Sequence, residues 1–198
     1  NMYLTTSSCS HSRNSIMTGR YPHNHGAPEL HTEPPAGMIT FAQELNSSGY
    51  YTVSSGKWHI GDYARPGFDV IHEGLDLVGL GGEDQWFNII SDRPKDKPFF
   101  IWAAAHDPHR DWAENDFSGT HKLDEIIVPD YLIDDLQTRQ DLAHYYDEIK
   151  RFDYFIGEVI SKLKDQNVYD NTILMIMSDN GRPFPPVSYT HLRAHETC

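Results

Sequence analysis

The sequence predicts an α/β domain built on a mostly parallel sheet, and three observations lead there. Pro98-Phe99-Phe100-Ile101-Trp102-Ala103-Ala104-Ala105 is a continuous apolar run, the pattern of a strand covered on both faces. Over residues 136–163, Leu142, Tyr145, Ile149, Phe152, Ile156, Val159 and Leu163 recur every three or four positions with charges between them, the period of an amphipathic helix. That helix leads through Asn171-Thr172 into a second apolar run, Ile173-Leu174-Met175-Ile176-Met177, which is expected to be a second buried strand. Helix followed by strand is one half of a right-handed crossover unit. The third observation is polar: Lys57/His59, residues 106–110 and Asp179/Asn180 each follow the end of an expected strand. Open α/β sheets gather ligands at the carboxyl ends of their strands, so the three clusters can meet in one cleft.

The other elements follow in chain order. If Cys9 opens a helix, Arg13 lies one turn on along the same side. Residues 39–45 are expected as a short helix after the turn Pro34-Pro35-Ala36-Gly37. Tyr50-Tyr51-Thr52-Val53 reads as a short strand after Ser48-Gly49, with Gly56-Lys57-Trp58-His59 just beyond it. Residues 64–96 are rich in Gly, Asp and Pro and are expected to loop over the surface.

The 198 residues carry 29 acidic side chains against 16 Lys and Arg, a formal charge of −13. Nonspecific nucleic-acid binding needs a basic face and is excluded as a class. An anionic substrate is not, because local cations and bound metals set the field inside a cleft. No apolar run is long enough for a membrane-spanning helix. Val187-Ser188-Tyr189-Thr190-His191-Leu192-Arg193-Ala194-His195-Glu196-Thr197 resembles a translated sequencing adaptor, so residues 187–198 are set aside. Residues 1–186 are then expected to be an internal piece of one catalytic domain. With Cys198 set aside, Cys9 is the remaining cysteine, and no internal disulfide is expected.

Cys9 sits in Ser8-Cys9-Ser10-His11-Ser12-Arg13, followed closely by Thr18-Gly19-Arg20. Structural thiols keep apolar company, whereas hydroxyls, guanidinium groups and a helix N-terminus suit chemistry on an anion. Lys57 offers a compact ammonium for an anionic oxygen. His106 and His109 are three apart, but Pro108 between them argues against a helical metal pair, and the segment lacks further zinc ligands. A histidine there can instead donate a proton near neutral pH. Asp179 and Asn180 either close a turn or present a carboxylate and an amide oxygen to a hard divalent ion.

These motifs, in this order, resemble the sulfatase family. Its signature is Cys-x-Pro-x-Arg followed by Thr-Gly-Arg, and His11 here occupies the proline position. Gly56-Lys57-Trp58-His59-Ile60-Gly61, Pro108-His109 and Ser178-Asp179-Asn180-Gly181 resemble its further segments. The resemblance implies an alkaline-phosphatase-like sandwich, incomplete here, with helices on both faces of a mostly parallel sheet. It implies that a maturation enzyme oxidises Cys9 to formylglycine, whose hydrate attacks sulfur. Arg13 would hold that group near the metal, Lys57 would bind a sulfate oxygen, and His59 would orient the nucleophile. His109 would bind sulfate and serve the leaving group. Asp179 and Asn180 would ligate one Ca2+, with two more acidic ligands from an upstream Asp-Asp pair. His106 and Arg110 would shape a sugar subsite.

His106-Asp107-Pro108-His109-Arg110 and the residues after Asp179 resemble the N-sulfatase subgroup, implying cleavage of N-sulfoglucosamine in heparan sulfate. A further sulfate-contacting Arg of that subgroup would lie later than Arg182. The implied partners are a sulfated carbohydrate and the maturation enzyme, in a periplasmic, secreted or lysosomal setting. Two alternatives stay open: a non-catalytic sulfated-glycan binder, motivated by His11, and a related phosphatase or phosphonate hydrolase.

Overall fold

A computed structural model describes residues 3–73, 82–110, 112 and 114–182. Cys9 does open a helix. α1 spans Cys9–Thr18, with Ser8 extended at its N-cap and Gly19 closing it in the left-handed conformation, its N–H on the Ser15 carbonyl. A single-turn helix, α2 (Pro22–His25), starts on proline, whose fixed φ suits a first turn. α3 (Phe41–Ser47) lies where the turn before it pointed. Thr40 accepts from Gln43 N while the Gln43 side chain accepts from Thr40 N, a complete capping box.

β1 (Tyr51–Gly56) is the centre of a three-stranded sheet of order β2-β1-β3, with β2 at Val70–Glu73 and β3 at Phe99–Ala104. Both pairings are parallel, as the apolar run of β3 required. Alternate residues of β3 face opposite ways. Phe100 and Trp102 pack on a core of Met17, Ala42, Ile60 and Phe68, with Phe41 edge-on to Phe100 at 5.0 Å. Phe99 on the other face lies under the Arg93 guanidinium, which ends α4 (Glu83–Asp92). α5 (Leu136–Asp165) packs there too, its Phe152 and Phe155 edge-on to Trp86 of α4. Helices thus cover both faces. Asp135 starts α5 by accepting from Thr138 N at 2.8 Å. Among the described residues, no helix is long and apolar enough to cross a membrane.

Two expectations are corrected. Residues 64–96 are not one surface loop: they hold most of a 3-10 turn (Asp62–Gly67), β2 and α4, while residues 74–81 lie outside the described residues. β2 has four residues and is specified by its partner β1, a non-local fact. In α4 the helical spacing of Trp86, Ile89 and Ile90 was masked by its Asp and Asn neighbours. The expected buried strand at residues 173–177 has no ladder partner among the described residues, and Ile173, Met175 and Ile176 are 90%, 67% and 59% exposed. A strand is defined by what it pairs with. Here the segment and the open edge of β3 line the same cavity, of about 1240 Å³, instead of joining.

Candidate active site

The register of the sheet builds the site. Gly56 pairs with Ala104 at the carboxyl ends of β1 and β3, and Lys57 N donates to the Ala104 carbonyl at 2.9 Å. The two following loops therefore leave side by side, over the first turn of α1. The buried Lys57 places Nζ 3.3 Å from Cys9 Sγ and 4.0 Å from Asp179 Oδ2. Asn180 Oδ1 lies 2.9 Å from the same sulfur.

Arg13 fastens these pieces together. Its Nε donates to the Trp58 carbonyl at 3.0 Å, Nη1 to Asp179 Oδ2 at 3.1 Å, and Nη2 to the Lys57 carbonyl. The guanidinium also lies 5.4 Å from the Trp102 ring centroid. A planar fork with several fixed donors can bridge α1, the loop after β1 and the Asp179 segment at once, which an ammonium cannot.

His109 and His106 line the same cavity as Cys9, Lys57, Asp179 and Asn180. His109 Nδ1 meets the Arg110 carbonyl, so that nitrogen carries the proton. Asp107, between the two histidines, is bound to Arg151 of α5 at 2.5 Å, and Arg151 reaches Glu83 of α4 at 3.4 Å. This holds the loop down on the helices.

Arg110 is not brought to Cys9. Its Nη2 binds Asp141 of α5 at 2.5 Å, and its guanidinium lies over Trp112. Arg182 reaches the same Asp141 oxygen and lies over Tyr145, while Trp112 Nε1 donates to the other oxygen at 2.9 Å. Asp141 escaped the sequence reading, since an acidic residue on a long charged helix carries no local mark. His59 is half-buried, its Nε2 2.9 Å from Nδ1 of His31, a second residue the sequence did not single out.

The field follows from these contacts. Burial pushes the Asp179 carboxyl up, but Arg13 and Lys57 outweigh it and hold it below the usual carboxylate range. Burial first, then Lys57, His31 and Arg13, push His59 down to about 4, so its ring is neutral at pH 7.

Asp179 and Asn180 present two hard oxygens beside Cys9 and fit part of a divalent-ion site. They do not make a whole one: calcium takes six to eight oxygens, and no cluster of three His, Cys, Asp or Glu is found among the described residues.

The Sulfatase family model matches residues 1–79 and 83–197. The chain belongs to the sulfatase family, whose members are generally dependent on formylglycine and a divalent metal. The matched range includes residues 187–197, so the match does not set that tail apart. The chain is 28% identical to human N-sulphoglucosamine sulphohydrolase over 218 residues, covering 93% of this chain and 43% of that protein. A solved structure described as in complex with its substrate D-glucosamine-2-N,6-O-disulfate superposes with a TM-score of 0.61 at 19% identity, over 87% of this chain and 56% of that one. Phosphonate monoester hydrolase from Silicibacter pomeroyi superposes with a TM-score of 0.61 at 15% identity, over 85% and 54%. These two show the fold, which is the alkaline-phosphatase-like α/β arrangement. The chain spans under half the length of its human relative.

Proposed function

We propose that the protein carrying this chain hydrolyses sulfate groups from a sulfated carbohydrate, with the sulfamate of N-sulfoglucosamine in heparan sulfate as the preferred group. One observation carries the reading: Cys9 Sγ stands at the start of α1 with Lys57 Nζ at 3.3 Å and the Asp179/Asn180 pair beside it. Sγ marks the position that a formylglycine side chain takes once a maturation enzyme has oxidised Cys9. The hydrated aldehyde supplies a nucleophilic oxygen there. A divalent ion, calcium by ligand type, would be held by Asp179, Asn180 and further oxygens, and would supply charge neutralisation at the sulfuryl group.

The residues of this chain then divide the work. Lys57 meets a sulfuryl oxygen with its ammonium, already desolvated and held. Arg13 is committed to Asp179 and to the carbonyls of Lys57 and Trp58, so it positions the site. His59, being neutral, is a hydrogen-bond partner for the nucleophile and not a second cation. His109 donates an Nδ1–H hydrogen bond to the Arg110 carbonyl, and the ring in its protonated form passes the Nε2 proton to the departing amine or alcohol. His106 stays on the cavity wall as a sugar-facing residue. Arg110, spent on Asp141, is reassigned to holding the loop. A periplasmic, secreted or lysosomal setting goes with this substrate.

The test is turnover by the intact protein, produced with a maturation enzyme, on N-sulfoglucosamine, a glucosamine sulfate ester and a phosphate monoester. Sulfate release with the highest kcat/KM on the sulfamate is expected; turnover of the phosphate ester alone overturns the reading. A second reading, a non-catalytic sulfated-glycan binder, draws on the buried His11 two residues after Cys9. Tight binding of heparin fragments with no sulfate release and no aldehyde at Cys9 would establish it.

A further inference from the structure

His31 lies in a polar loop with no motif around it, yet its ring is set against that of His59. Nδ1 of His31 is 2.9 Å from Nε2 of His59, and the ring centroids are 4.8 Å apart at a 31° tilt. Both backbones are left-handed, with φ of 62° at His31 and 43° at His59. Such conformations in non-glycine residues cost about 1 kcal/mol or more and persist only where the surroundings hold them.

The surroundings hold these two on either side of the pair. His31 N donates to Ser10 Oγ at 3.2 Å, one residue from Cys9. Asp62 N donates to Glu33 Oε2 at 2.7 Å. Between them Gly61 lets the two loops touch: a Cβ there would lie 2.6 Å from both Cβ and Oε2 of Glu33, at a φ of 125°. Residues 31–33 are thus stapled along residues 59–62, with the ring pair as one of these contacts.

A nitrogen-to-nitrogen contact at this distance holds one proton. If His59 Nε2 carries it, His31 Nδ1 accepts and the neutral His59 has a bare Nδ1. If His31 Nδ1 carries it, His59 Nε2 accepts and His59 Nδ1 is protonated. In both arrangements a flip of the His59 ring breaks the bond. We propose that His31 is a positioning residue for His59, holding its ring in one orientation and one tautomer in the loop that also carries Lys57. The catalytic consequence rests on the sulfatase reading above; the contact itself does not.

The experiment uses the intact protein with 15N-labelled histidine and long-range 1H–15N correlation spectra, His59 being assigned from the signal lost in His59→Gln. In the wild type, His59 shows the separated nitrogen shifts of a single tautomer. His31→Phe gives averaged shifts, and His31→Asn, whose amide can meet Nε2, keeps them apart. In kinetics, His31→Phe lowers kcat about 10- to 100-fold, the range for a misplaced group, while KM changes less than about two-fold. His31→Asn recovers most of the loss; should the Phe ring not be accommodated, His31→Ala carries the same comparison. Unchanged His59 spectra in His31→Phe, or equal losses in the Asn and Phe variants, overturn the proposal. If the wild type releases no sulfate from any substrate, the sulfatase reading fails and the spectra alone decide for or against the ring pair.

Discussion

Arg13 is the residue whose replacement should cost most, and its contacts allow the cost to be worked out. It donates to two backbone carbonyls and one carboxylate, with the guanidinium 4% exposed and Asp179 23% exposed. A hydrogen bond involving a charged group contributes about 1.5–3 kcal/mol, and removing one partner of a buried ion pair costs about 3–5 kcal/mol. Arg13→Ala abandons the Lys57 and Trp58 carbonyls and leaves Asp179 with only Lys57 at 4.0 Å. These losses overlap, and the partial exposure of Asp179 reduces its share, so a net destabilisation of about 3–4 kcal/mol is expected. Arg13→Lys keeps the charge but reaches one acceptor at a time, and should lose about 2 kcal/mol. Urea unfolding followed by tryptophan fluorescence measures both, with Trp58 and Trp102 reporting from beside the residue. A double-mutant cycle with Asp179→Asn should give a coupling energy of about 1–3 kcal/mol. If Lys serves as well as Arg, or if Arg13→Ala loses less than about 1 kcal/mol, Arg13 does not bridge the three segments.

Mass spectrometry of a tryptic digest should find the mass of an aldehyde at position 9 in protein made with the maturation enzyme; a thiol or disulfide there in active enzyme would exclude formylglycine as the nucleophile. His59, titrated by NMR, should stay neutral until the pH approaches about 4. Because its folded pKa lies below the ordinary 6.5, the stability it contributes is complete above about 6.5 and drains away as pH falls towards 4. After discounting for its half-exposed ring, that loss is on the order of 1–2 kcal/mol, and His59→Gln should remove this part of the pH dependence. Asp141→Ala leaves Arg110 and Arg182 facing each other without a carboxylate and should destabilise by about 3 kcal/mol in the same urea assay. Adding Arg182→Ala should recover part of it; no recovery would mean that the guanidinium groups do not repel.

Cys9, Arg13, Lys57, His59 and His109 were proposed from short motifs that fall in α1 or just past the ends of β1 and β3, whereas Asp179 and Asn180 were proposed from a motif after a segment that forms no strand among the described residues. β3, α3 and α5 were legible for a related reason. Apolar runs, helical periods and a proline-rich turn depend on neighbours a few residues away, and those neighbours are written next to each other. The element that failed, residues 173–177, had the right composition for a strand, but pairing is a property of two segments. β2 was missed through the same dependence, since its four residues become a strand only against β1.

The tertiary structure alone decided how the polar residues divide between chemistry and support. It sent Arg110 away from the sulfur to an aspartate 31 positions along the chain. It placed His31 on His59, 28 positions away, and committed Arg13 to Asp179 across 166. A guanidinium or imidazole looks the same in the sequence whether it meets a substrate, a carbonyl or a carboxylate. Which of these it meets depends on chain segments brought together by burial of the sheet and its helices, and no local pattern records that distance.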